Sequence, residues 1–334
     1  MDNHYLDALA VISLYKISGK KHLLITGNRG SGKSHLINKI IRIMSGSFNY
    51  LRSYRTDKPQ VVIKSNLIDN EKEYTIGVPQ SLTPDFSCKG NSMRVVEKGF
   101  LNCAIPAIQT HLKNNPDKLF IIDELGYLET SCTPFQETVY ALLKQSHVLA
   151  VIRKQSTEFL NKISSRDDVL LIDLDNTFDS LSCIIMASGI SKRFGANKLL
   201  ADFNGKTLFE NTVSESQLVK FGYTLAVTRH HEIARICDYS GIDCLLHDLP
   251  FRNDMIRLGV SHILENSKPD GILFLPSDQP LISRTSIQLL CLTFLYYKDK
   301  ICRLSFNETA GSPVIFPSRY YDELLTLPEG KGGG

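Results

Sequence analysis

Lys33 and Ser34 close an octapeptide, Gly27-Asn28-Arg29-Gly30-Ser31-Gly32-Lys33-Ser34, whose composition suits a polyphosphate chain. Its glycines let successive backbone N–H groups converge on phosphate oxygens at a helix N-terminus, and the lysine adds a point charge near the β and γ phosphates. The Ser34 hydroxyl is placed to ligate Mg²⁺. Further along, Asp123 and Glu124 follow the apolar run LFII. A carboxylate at such a strand end can hold the metal, and its neighbour can polarise water for attack on the γ-phosphate. Arg29 inside the loop and Arg153 after VLAVI could stabilise transition-state charge or could simply be solvated. In this half the chemistry is expected to fall to Lys33 and Glu124 and metal ligation to Ser34 and Asp123, with an NTP, ATP or GTP, as the expected nucleotide.

A second basic glycine loop, MASGISKRFGANK, ends at Lys198. Ala187 and Ser188 lead into Gly189, where the backbone can approach a base or phosphate, while Ser188 and Ser191 offer hydrogen bonds. Arg193 and Lys198 flank a turn and could neutralise a departing pyrophosphate. Asp278, in LPSDQP, ends another apolar run and is a natural Mg²⁺ ligand, because open α/β sheets bind ligands at the C-terminal ends of their strands. A glycine loop and a metal carboxylate at neighbouring strand ends supply what nucleotidyl transfer needs. If the attacking group is itself a phosphate, no general base is required.

The elements that must carry these loops are legible as alternating apolar runs and helical stretches. Strands are expected at 22–26, 119–122, 148–152 and 169–172, and then at 183–187, 223–227, 242–246, 271–275, 301–305 and 313–316. Between Asn49 and Ser92 the rhythm weakens, with 61–63 and 75–78 as hairpin arms of an insert that could face substrate. The polar stretch DLDNTFDSLS sets a domain boundary near Ser180, giving two α/β domains, 1–180 and 181–334. The N-terminal stretch lacks the marks of a cleaved leader and reads as an amphipathic helix. A formal charge of +3, with no run of five like charges, argues against a nucleic-acid partner. No apolar segment is long enough to span a bilayer, so no membrane is expected. Eight cysteines without a CxxC pair read as reduced thiols, which points to the cytoplasm.

With GNRGSGKS, FIIDELGYLE, FQETVYALLKQSHVLAVIRK and DDVLLIDLD, the first half resembles the P-loop nucleoside-triphosphatase family first described from thermophiles. That resemblance implies a three-layer α/β/α domain hydrolysing NTP to NDP and phosphate through Lys33, Ser34, Asp123 and Glu124. The family's Asn-Arg-Asp element reads Thr177, Phe178, Asp179 here, which leaves a nucleotide-binding switch as the alternative. MASGISKRFGANKLL, LPSDQPLIS and GSPVIFPSRYYDELLTLPEGKGG look like the molybdenum cofactor cytidylyltransferase branch of the MobA-like nucleotidyltransferases. This likeness implies a Rossmann-like domain of the nucleotide-diphospho-sugar transferase type. Arg193 and Lys198 would hold the triphosphate and Asp278 the Mg²⁺, with Asp248 and Arg257 near the nucleotide and Gly311 and Pro313 facing a pterin. At Ala187-Ser188-Gly189 that branch usually reads Ala-Ala-Gly and the guanylyl branch Gly-Gly, which favours CTP. The implied reaction joins CTP to molybdopterin with release of pyrophosphate, for a molybdoenzyme or its chaperone; another phosphorylated small molecule is the alternative acceptor. Such relatives continue beyond the GKGGG end, so the second domain is expected to be truncated.

Overall fold

The computed structural model describes residues 6–69, 71–80, 93–189 and 197–328. They divide into two compact units, Tyr15–Asp175 on the one hand and Met1–Leu14 with Asn176–Gly334 on the other. Helix α1 (Ala8–Ser18) opens the chain and buries Ala8, Ala10, Val11, Ile12 and Leu14. Its leading residues group with the later unit, a return that a boundary near Ser180 does not anticipate. Polar contacts accompany that return: the Asp7 amide donates to Gln288 Oε1 at 2.7 Å, and the Asp7 carboxylate lies 4.0 Å from Arg284.

The P-loop unit continues through β1 (His22–Thr26), α2 (Lys33–Met44), β2 (Asn49–Arg55), β3 (Val61–Ser65), β4 (Tyr74–Pro79) and β5 (Met93–Val95). Then come α3 (Glu97–Gly99), a π-helical turn at Phe100–Ala104, α4 (Ile105–Asn114), β6 (Phe120–Leu125), α5 (Tyr127–Thr130), α6 (Thr133–Gln145), β7 (Val148–Ile152), α7 (Glu158–Ser164) and β8 (Val169–Asp173). All eight strands join one sheet in the order β5-β4-β3-β2-β6-β7-β1-β8. From β2 to β8 the strands are parallel, and β1 and β7 are buried at every position, as strands covered on both faces must be. The hairpin arms do pair, Val61 with Gly77 and Ile63 with Tyr74. What the sequence obscured is β2, which runs parallel to β6 as part of the central sheet. Its residues NYLRSYR bury Asn49 and Leu51 but expose Arg52 and Arg55, so no apolar run advertises it. The rest of the expected insert, 81–92, lies outside the described residues.

The second unit contains β9 (Leu181–Ala187), a short ladder of β10 (Asp202–Phe203) with β11 (Lys206–Thr207), α8 (Leu208–Gln217), β12 (Tyr223–Thr228), α9 (His231–Ser240), β13 (Asp243–Leu246) and α10 (Arg252–Asn266). It ends with β14 (Gly271–Pro276), α11 (Arg284–Tyr297), β15 (Cys302–Phe306), β16 (Thr309–Pro317) and α12 (Tyr321–Leu325). Its sheet order is β13-β12-β9-β14-β16-β15, parallel up to β14 and antiparallel beyond. Helix α8 starts where it does because Thr207 and Glu210 satisfy each other's backbone amides, at 2.7 and 3.1 Å. Helix α10 packs so closely on β9 that a Cβ on Gly259 would come within 2.9 Å of Ile184 Cδ1. Among the described residues no helix is long and apolar enough to cross a membrane. Their seven cysteines are free thiols, and Cys88 lies outside them.

Candidate functional site

The loop from Gly27 to Gly32 leaves the C-terminal end of β1 and delivers Lys33 to the first turn of α2. Gly27, Gly30 and Gly32 hold φ values of 148°, 84° and 92°, which side-chain-bearing residues rarely adopt, and a Cβ on Gly27 would meet Ser31 Oγ at 2.6 Å. The Lys33 ammonium is drawn into this curve, donating to Gly27 O at 2.7 Å and Asn28 O at 2.8 Å. Ser31 Oγ is buried with no protein partner, so the loop holds polar capacity in reserve for a ligand oxygen. The Asn28 amide instead donates to Asp175 Oδ2 at 2.8 Å, and Lys154 ties Asp175 to Asp173 at 3.1 and 2.8 Å.

Strand order decides what faces the loop. Because β7 lies between β1 and β6, its last residues bring Arg153 in between the phosphate loop and the carboxylates of β6. Arg153 hydrogen-bonds Glu124 and lies 5.9 Å from the centre of the Tyr127 ring. Asp123 is partly buried. Burial raises its pKa, Arg52 at 3.6 Å pulls it back, and Glu124 adds repulsion. A cleft of about 590 Å³ joins Lys33, Ser34, Glu124 and Arg153 to Tyr54 on β2 and to Glu129 on α5. Arg29 also lines it, whereas Asp123 does not. The Ser34 hydroxyl and the Asp123 carboxylate are both hard oxygen donors of the kind Mg²⁺ takes, but only Ser34 opens into the cleft, Asp123 lying 3.6 Å from Arg52. Glu129, Tyr127 and the Lys154–Asp175 tie were missed from sequence; a glutamate three residues after a glycine looks like any helix cap.

In the second unit, Met186 of β9 pairs with Pro276 of β14, so the loop after β9 and Asp278 emerge at the same sheet edge. Lys198 Nζ lies 3.5 Å from Asp278 Oδ2, and the carboxylate is about half exposed. The Ser188 hydroxyl turns inward, donating to Val227 O at 3.1 Å and meeting His247 Nε2 at 2.8 Å. His230 Nε2 reaches Gly189 O at 3.0 Å. Neither histidine was singled out from sequence, since the pairs join positions 59 and 41 residues apart. Burial lowers the pKa of His247, as does Arg229, with Asp254 and Asp248 opposing them. Asp248 is exposed beside this group. Arg257 is paired with Asp254, which also accepts the Phe251 amide at 3.0 Å as the cap of α10. Gly311 and Pro313 sit on β16, which runs antiparallel to β14 and so places them toward the edge that bears Asp278. Arg193 and Ser191 lie outside the described residues.

The two sheets and their loops define a P-loop α/β domain followed by a second α/β domain that brings Lys198 and Asp278 together at one strand-end edge. Residues 22–182 match the family described as NTPase and residues 183–334 the MobA-like NTP transferase domain, so the chain is a fusion of the two. It is 28% identical over 156 residues to nucleoside-triphosphatase THEP1 of Thermotoga sp. strain RQ2, covering 46% of this chain and 86% of that one. Among solved structures it is similar to THEP1 from Aquifex aeolicus, at 21% identity and a TM-score of 0.38, covering 46% of this chain and 89% of that chain. It is also similar to a cytidylyltransferase from Leptospira borgpetersenii, at 20% identity and a TM-score of 0.38, covering 45% of this chain and 65% of that chain.

Proposed function

We propose that this chain is a cytoplasmic bifunctional enzyme of molybdenum cofactor maturation, in which the second domain transfers a cytidylyl group from CTP to the terminal phosphate of molybdopterin and the first hydrolyses a nucleoside triphosphate. The observation that carries the transferase half is the shared edge of β9 and β14, which sets the loop after Ala187 level with Asp278 and brings Lys198 to 3.5 Å from that carboxylate. A triphosphate laid along this edge meets backbone at Gly189 and positive charge at Lys198, with Arg193 assigned to the same phosphates. The acceptor phosphate attacks the α-phosphate of CTP, the bond to the bridging oxygen breaks, and pyrophosphate leaves toward the cations. An acceptor of this kind arrives deprotonated, so the site needs no base. Asp278 would hold Mg²⁺, which supplies charge neutralisation when bound. Gly311 and Pro313 are assigned to the pterin side and Asp248 to the nucleotide; the pairing of Arg257 with Asp254 makes it the weaker partner of the two. The product would pass to a molybdoenzyme or its chaperone.

The test is incubation with labelled CTP, Mg²⁺ and molybdopterin, in parallel with GTP and with phosphorylated sugars as acceptors. A cytosine dinucleotide product is expected; its absence alongside product from another phosphorylated acceptor would replace this assignment.

For the first domain, Ser34, Asp123 and Lys33 are assigned to Mg²⁺ and the phosphates of ATP or GTP, and Glu124 to the attacking water. A second reading, a switch that binds nucleotide and rearranges, is favoured by the Arg153–Glu124 pair and by Lys33 resting on the loop's own carbonyls. Phosphate release separates the two. Glu124→Gln should lower it by about a hundredfold or more if Glu124 activates water; equal, negligible release from both proteins would leave the switch.

A further inference from the structure

The chain bends sharply where β6 ends. Asp123 pairs with Val151 and Leu125 with Ile152, so Glu124 is bulged out of the ladder, with a φ of 141°. A bulge of this kind re-aims one side chain and persists only where its surroundings hold it. Here the Gly126 amide donates to Glu129 Oε2 at 2.8 Å, Thr130 Oγ1 donates to Gly126 O at 3.0 Å, and the Arg153 amide donates to Leu125 O at 2.8 Å. The Arg153 stem then crosses Gly126 so closely that a Cβ there would come within 2.9 Å of Arg153 Cδ. Glu129 is only 5% exposed, yet it forms part of the wall of the phosphate cleft. Burying a carboxylate is costly, and a single helical turn does not require one.

We propose that Glu129 is a positioning residue of this site: its carboxylate, clamped on the Gly126 amide, holds the bend that presents Glu124 and Arg153 to the phosphate cleft. The proposal rests on the hydrolytic reading of the first domain. Two charged groups face Glu129, Glu124 at the end of β6 and Arg153 at the end of β7. Burial pushes its pKa up to about 7; the amides of Glu129 and Gly126 lower it, Glu124 raises it and Arg153 lowers it. The ionised carboxylate is the stronger acceptor, so turnover should rise with pH through about 7. Stability runs the other way. A carboxyl whose folded pKa is raised favours folding below its unfolded value, and that contribution is lost as pH rises through about 7.

Phosphate release, nucleotide affinity and melting temperature would be measured between pH 5 and 9 for the wild-type chain, Glu129→Ala and Glu129→Gln. Glu129→Ala should lose about tenfold or more in kcat at pH 8, with nucleotide affinity held within about threefold. Glu129→Gln keeps an acceptor for Gly126 and should lose less, but its kcat should lack the step near 7. Glu129→Gln should also melt above wild type at pH 8, the gap closing toward pH 5. If the alanine variant does not fold, the Glu129→Gln profile decides. An unchanged step in Glu129→Gln, or wild-type kcat in Glu129→Ala, would overturn the positioning role alone. No phosphate release from the wild-type chain at any pH would overturn the hydrolytic reading and the proposal with it.

Discussion

Lys33→Ala should weaken nucleotide binding at the first site by about a hundredfold, the loss of roughly 3 kcal/mol expected when charged hydrogen bonds disappear. Its ammonium is held by Gly27 O and Asn28 O at 2.7 and 2.8 Å, inside the curve that the three positive-φ glycines create. A polyphosphate entering that curve would draw the ammonium off these carbonyls, exchanging neutral acceptors for charged ones, which bind it more strongly. Alanine removes the charge but leaves the glycine geometry, so the loop itself should persist. Equilibrium binding of a fluorescent nucleotide measures the effect, and pyrophosphate release from CTP with an acceptor measures the second site in the same preparation. Transfer should remain measurable. Unchanged affinity would show that the phosphates lie elsewhere, and loss of both activities together would reveal a coupling free energy between the domains.

Asp278→Asn should lower nucleotidyl transfer by about a thousandfold while sparing hydrolysis at the first site. The carboxylate follows β14 directly, and buried Ser277 anchors it by donating to Met186 O at 2.7 Å, so the strand cannot drift from β9. Asparagine keeps the shape and removes the charge, which separates metal ligation from packing. Lys198, 3.5 Å away, would lose its counter-charge as well. The assay is pyrophosphate release at saturating CTP and acceptor, with Mg²⁺ titrated. Wild-type rates would remove Asp278 from the site.

Much of this was legible in the sequence because the strands carrying both sites are buried on two faces and so appear as unbroken apolar runs, VLAVI and CIIMA above all. The glycine loops were legible for a different reason: phosphate binding at a strand end constrains several consecutive residues, which leaves a dense local signal. Strand β2 was not legible, since only two of its seven residues are buried and its partner β6 lies some seventy residues away. Glu129 was hidden by its ordinary spacing from Gly126, and only the bulge at Glu124 gives it meaning. The return of Asp7 to Gln288 joins positions 281 residues apart, beyond the reach of any periodicity.

The inward turn of the Ser188 hydroxyl changes how its departure from the usual alanine should be understood. Its single proton goes to Val227 O, so its contact with His247 requires the ring to carry hydrogen on Nε2. His247 Nδ1 is then a bare lone pair, and it is indeed buried without a partner. The serine therefore selects a tautomer and fastens the start of the loop to β12. A serine at 188 would thus be expected to stiffen the loop before it alters any choice of nucleotide.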